Sequence, residues 1–189
     1  MARDDYKRPP EEIDMPVEER AIRRDTLLAL LIIITAFTSA YLFAPNFVEL
    51  PTELPDRFAF AALCWAGPGL VLLIAIMMVS TARRFSADDI GGQAAGPPSE
   101  KLAVKAAFLQ NTLEQTVLAG VFYFALAALA GGAWMALLLV ATASFVVGRI
   151  LFFAGYRRGA KGRSFGMALT MLPSVLGYAV LIFLLLFAS

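Results

Sequence analysis

Apolar runs long enough to cross a bilayer dominate this chain and constrain its fold more than any other feature. A hydrocarbon core about 30 Å thick takes about 20 helical residues. Five runs of that order are bounded by charge, proline or glycine: Thr26 to Ala44, Phe58 to Ser80, Leu102 to Ala130, Ala133 to Tyr156 and Phe165 to Ala188. Pro45, Pro51 and Pro55 separate the first pair, Gly91-Gly92 and Pro97-Pro98 the second, Gly131-Gly132 the third, and Gly159 and Gly162 the last. Pro68 and Pro173 lie inside runs, where neighbouring helices re-satisfy the freed carbonyl, so they are predicted as kinks and not as ends.

Composition narrows the chemistry. The chain is 59% apolar and 16% charged, against about 45–50% and about 25% in soluble domains, which excludes a water-soluble enzyme. It has no histidine and one cysteine, Cys64. An all-protein zinc or haem site, a Ser-His-Asp triad and an internal disulfide are thereby excluded, and no metal site is expected. Cys64 sits in an apolar run and reads as packing. Chemistry is left to Arg, Lys, Tyr, carboxylates or a bound thiol.

Residues 1–25 carry six basic and eight acidic side chains, with Pro9-Pro10 and no apolar period. This predicts a charged arm, partly helical at most, and neither its length nor its acidity suits a signal peptide. Lys and Arg counted by loop fix an orientation. Five spans starting in the cytoplasm place 15 of the 16 basic residues on that side or in the inner half of a span, leaving Arg57 outside. The expected location is a bacterial inner membrane, N-terminus cytoplasmic and C-terminus opposite. The net charge of +1 gives no signal for nucleic acid, because the basic residues sit at membrane edges.

Two ionisable residues fall well within spans, Glu114 and Arg149. Intramembrane charge is costly and defaults to a functional reading. Glu114 precedes Gly131 by 17 residues and Arg149 follows Gly132 by 17. With the hairpin turned at the glycines, both sit about 25 Å from the turn, and they are predicted to pair or to share a ligand. On the third span Ala107, Asn111, Glu114 and Gln115 share a face at helical spacing, flanked by Gln110. Arg149, Phe152 and Tyr156 share a face on the fourth. One reading is polar glue between helices. The other is a pocket for a polar ligand, ringed by Arg157, Arg158, Lys161 and Arg163, although that basic cluster also carries the positive-inside signal.

These segments resemble the superfamily of membrane-associated proteins in eicosanoid and glutathione metabolism (MAPEG). Its Arg-x-x-x-Asn-x-x-Glu motif is met here by Asn111 and Glu114 within FLQNTLEQT, and its Arg-x-x-Tyr-x-x-Gly-Tyr motif by Arg149, Phe152, Gly155 and Tyr156 within RILFFAGY. Arg163 follows seven residues later, where the leukotriene-forming synthases of the family carry an arginine that assists the glutathione thiol. The resemblance covers roughly residues 57–189. It implies an all-α integral membrane protein, a four-helix protomer assembled as a homotrimer, with glutathione as co-substrate between subunits near the cytoplasmic face. The first span (26–44, with its connecting loop to 56) and the arm (1–25) would be additions.

The residue roles implied are Arg163 at the thiol and Asn111, Glu114, Arg149 and Tyr156 orienting the tripeptide. Two positions depart from the motifs. Ala107 stands where the first motif has arginine, and Phe152 where the second has tyrosine. A carboxylate donor and a hydroxyl are lost, and Lys105, about 160° around the helix from Ala107, does not replace the first. The function implied is a membrane-bound glutathione transferase or peroxidase for lipophilic electrophiles. The alternative is a non-catalytic member that binds membrane lipids or serves as a scaffold or accessory subunit, contacting a partner through the first span and the arm. A transporter is disfavoured, since the two halves show no repeat.

Overall fold

The computed structural model describes residues 13–92 and 96–187. The first part of the arm and the last residue of the fifth expected span lie outside these. Among the described residues the protein is helical without strands: α1 (Met15–Phe43), α2 (Leu54–Arg84), α3 (Glu100–Leu129), α4 (Ala136–Gly155) and α5 (Gly159–Phe187), with a short 3-10 turn in every connection except the α2–α3 loop. Four apolar stretches have the length and hydropathy of membrane spans, and the last, Gly132–Phe187, runs 56 residues. A continuous helix of that length would reach about 80 Å. The stretch instead folds back at the 3-10 turn Tyr156–Arg158, giving α4 and α5.

The helices extend past the apolar runs that nominate them. α1 begins at Met15, not Thr26, so the second half of the charged arm is helix. Asp14 caps it by accepting from the Val17 amide at 3.2 Å, and proline lies in its first turn, where the missing N–H has no partner to lose. α5 likewise starts at Gly159, ahead of Phe165. Pro68 and Pro173 lie inside α2 and α5, which run on through them.

Packing pairs α2 with α3 and α4 with α5, while α1 lies against α5 and α4. The core runs through the bundle from Ile33 and Phe37 of α1 to Phe122, Tyr123 and Leu126 of α3, Phe145 of α4 and Leu181 of α5. Leu27, Leu31, Leu63, Leu70, Ile150 and Leu186 stay exposed, the surface expected of helices solvated by lipid tails. Polar atoms lock the helices together. The Trp65 indole donates to the Thr116 carbonyl at 3.0 Å, and the Thr142 hydroxyl to the Cys64 carbonyl at 3.1 Å.

Both ends of the bundle are tied. At one, the Gly132 amide donates to the Pro51 carbonyl at 2.9 Å, joining the α3–α4 turn to the α1–α2 loop. At the other, the Asp89 carboxylate in the α2–α3 loop accepts from the Ser86 hydroxyl (2.8 Å) and from the Ser99 amide (2.7 Å) and hydroxyl (2.6 Å). Ser99 is the N-cap of α3. These bonds, those from Ser99 foremost, hold the Asp89 carboxyl below its usual range. A lowered folded pKa means stability that is present above the unfolded value of about 3.9 and lost as pH falls through the folded one. Asp89→Asn is therefore expected to melt below wild type at pH 6, by a margin that shrinks as pH falls below about 3.9. Equal melting of the two at pH 6 would mean that Asp89 does not latch the loop.

Candidate functional site

The site is built around the close crossing of α4 and α5. Gly148 and Gly155 on α4 face Gly162 and Gly166 on α5. A Cβ added at Gly155 would overlap the Gly162 carbonyl, and one at Gly166 would lie 2.7 Å from the Gly148 oxygen. Only bare backbone fits on both sides. Gly159 opens α5 with φ +78° and ψ −161°, a region essentially reserved to glycine. This turn folds Arg163 back over Tyr156, its guanidinium carbon 4.5 Å from the ring centroid and 5.9 Å from that of Phe152.

Behind that pair lies Arg149, fully buried. Its Nη1 donates to Asn111 Oδ1 at 2.6 Å, its Nε to the Thr170 hydroxyl at 3.1 Å and its Nη2 to the Met167 sulfur at 3.5 Å. The Phe152 ring covers it at 4.4 Å. The cation is thus satisfied by neutral acceptors and an aromatic face.

The expected pairing of Glu114 with Arg149 is corrected here. Glu114 is exposed and accepts from Gln110 Nε2 at 2.9 Å, and among the described residues no carboxylate lies within ion-pair distance of Arg149. The depth arithmetic is right to within one helical turn, since Arg149 reaches Asn111, three residues before Glu114. The rotation about α3 is what differs. Asn111 turns toward α4 and α5, whereas Glu114 turns outward. Phe108 of α3 stacks on Phe152 at 6.2 Å and lies tilted against Phe153 at 4.9 Å.

In front of Asn111 an open cavity of about 440 Å³ is lined by Ala107, Gln110, Asn111 and Glu114 of α3, by Phe152 and Tyr156, and by Arg163 and Met167 of α5. That volume lies within the range of small-ligand sites. Four of the five nominated residues, Asn111, Glu114, Tyr156 and Arg163, meet on its wall. The fifth, Arg149, does not line it but donates to Asn111, which does. An arginine only donates, so the contact identifies the asparagine oxygen and leaves the amide NH₂ as a donor for an occupant. Glu114 offers carboxylate oxygen, Arg163 a guanidinium with no hydrogen-bond acceptor among the described residues, and Tyr156 a hydroxyl. Such a wall suits a ligand carrying an ammonium, a carboxylate or amide, and a group that gains from becoming anionic.

Met167 and Thr170, which hold Arg149, are not among the nominated residues. Their signal is the spacing Arg163, Met167, Thr170 at i, i+4, i+7 on one face of α5. The crossing has a signal too, the Gly-x-x-x-Gly of Gly162 and Gly166, a pattern that permits close helix approach in membranes.

An all-helical bundle of membrane-span helices, with a polar cavity facing outward between α3 and the α4–α5 hairpin, is the class that fold and site define. The family model of the MAPEG family matches residues 58–187, and the chain belongs to that family. The match takes in α3, α4, α5 and nearly all of α2, and α1 precedes it. No curated protein and no solved structure matches the chain.

Proposed function

We propose that the protein is a membrane-bound glutathione-dependent transferase or peroxidase acting on lipophilic electrophiles that arrive from the bilayer. Family membership supports a role in membrane-associated eicosanoid and glutathione metabolism. The observation that carries the finer reading is the meeting of Asn111, Glu114, Tyr156 and Arg163 on one cavity wall. Glu114 accepts from the tripeptide's ammonium, Asn111 donates to a carboxylate or peptide carbonyl, and Tyr156 donates from the opposite side.

Arg163 acts at the thiol. A free thiol with pKa about 8.5 is mostly protonated at neutral pH, and an adjacent guanidinium favours the thiolate. In conjugation the thiol proton passes to water. The sulfur lone pair then forms a bond to the electrophilic carbon, and the leaving group departs with the electron pair of the broken bond. Assembly as a homotrimer, with the outward cavity closed by a neighbouring subunit, fits the exposure of Gln110 and Glu114 beside Leu113 and Val117 on the same flank of α3. Arg83 and Arg84 at the end of α2, Lys101 at the start of α3, and Arg157 and Arg158 in the turn after α4 support a cavity opening toward the cytoplasm.

The second reading, a non-catalytic lipid-binding or scaffold member, draws on Ala107 and Phe152, which give the cavity wall a methyl and a phenyl ring where the family motifs carry a guanidinium and a hydroxyl. Calorimetric titration of detergent-purified protein separates the two. Glutathione is expected to bind at millimolar concentration or below, and Arg163→Ala is expected to cut turnover of an aryl halide about 100-fold, the loss of roughly 3 kcal/mol of transition-state stabilisation. No heat at millimolar glutathione would end the transferase reading in favour of the second.

A further inference from the structure

We propose that α1, which lies outside the matched family segment, is a positioning element for the cavity: its Glu18 and Asp25 clamp the start of α5 and set where the Arg163 guanidinium stands. Both acids lie in the charged stretch of α1, yet they are 5% and 7% exposed. A buried carboxylate is costly unless its oxygens are satisfied, and here α5 supplies a donor to each of the two. Glu18 accepts from the Lys161 backbone amide at 2.9 Å, with Lys161 Nζ 3.7 Å away. Asp25 Oδ2 accepts from the Ser164 hydroxyl at 2.5 Å, while Arg24 holds Oδ1 at 2.9 and 3.1 Å.

The need for a remote acid follows from the turn. The first amides of a helix have no partner inside it, and their dipole favours negative charge. Gly159 must be glycine for its backbone conformation, and neither it nor Ala160 has a side chain able to cap. Glu18, 143 positions away in sequence, fills that role. Lys161 and Ser164 face α1 and bracket Arg163, whose face with Met167 lines the cavity. Farther along α1 the buried stripe becomes apolar at Ala29, Ile33 and Phe37. The polar contacts thus fall at the level of the cavity, and the rest of the helix docks by packing.

The clamp stands on these contacts. Its effect on chemistry rests on the reading of Arg163 given above. The test is the full-length double variant Glu18→Gln, Asp25→Asn in detergent, followed by two readouts that need no glutathione. Hydrogen exchange is expected to rise in peptides covering residues 159–167 and to stay unchanged in α2 and α3. Labelling of Arg163 by phenylglyoxal, located by peptide mass spectrometry, is expected to rise several-fold, with Arg157 and Arg158 unchanged. Unaltered labelling of Arg163 would overturn the proposal, whether or not exchange rises. Should the double variant fail to fold, Ser164→Ala removes the Asp25 contact together with the hydroxyl's bond to the Lys161 carbonyl, leaves both acids in place, and is expected to move the same readouts in the same direction. A third arm reads glutathione affinity, expected to fall about 3- to 10-fold, the equivalent of roughly 1 kcal/mol. If the wild type does not bind glutathione, the proposed function fails while the labelling result still decides the clamp.

Discussion

Gly155→Ala is expected to destabilise the protein by about 3 kcal/mol or more, at the upper end of overpacking effects. The added methyl meets the Gly162 carbonyl, and main chain cannot move aside as a side-chain tip would. α5 must lift away from α4, taking Arg163 off Tyr156 and opening the wall of the cavity. Gly69→Ala is the internal control, because a Cβ at Gly69 meets nothing within 4 Å, and alanine favours helix by about 1 kcal/mol. Thermal unfolding in detergent is expected to show a large loss for the first and no loss for the second. Equal melting of the two would mean that α4 and α5 do not cross as described.

Arg149→Met is expected to lower glutathione affinity at least about tenfold while leaving a folded protein. The buried guanidinium fixes the Asn111 oxygen at 2.6 Å. Without it the amide is free to turn, and the unpartnered oxygen costs about 1–3 kcal/mol. Arg149→Lys is not expected to rescue binding, since one ammonium on a flexible stem cannot reproduce the planar fork that meets Asn111, Thr170 and Met167 together. Glu114→Gln supplies the contrast. Glu114 is exposed and bonded only to Gln110 among the described residues, so stability is expected to hold within about 0.5 kcal/mol while binding weakens. If Glu114→Gln destabilised the protein as much as Arg149→Met, a direct ion pair between the two would return.

The contrast between these residues shows how far the amino-acid sequence carries. Apolar length and bounding charge mark every helix, because a bilayer imposes one length on all spans. Helix ends are less legible. α1 and α5 continue into charged and glycine-rich sequence, where tertiary contacts and not hydropathy decide the boundary. Glu18 and Asp25 continue the buried stripe of Ala29, Ile33 and Phe37 at helical spacing, but their charge disguises it. Axial level can be read by counting residues from the Gly131-Gly132 turn, and Arg149 does reach α3 at the expected height. Rotational phase cannot be counted so, and a difference of one turn and one face exchanges Glu114 for Asn111 as the arginine's partner. Four of the cavity's polar residues are legible through the motifs of a family, whereas Met167 and Thr170, which hold Arg149, belong to no such motif.

The proposed reaction requires residues from α3, the α4–α5 turn and α5 to form one tripeptide site. Cryo-electron microscopy of the protein with millimolar glutathione tests this most directly. The expected map shows density for the tripeptide bounded by Asn111 and Glu114 on one side and by Tyr156 and Arg163 on the other, its sulfur nearest Arg163. A map in which an acyl chain or collapsed side chains fill that space, with glutathione elsewhere or absent, would contradict it.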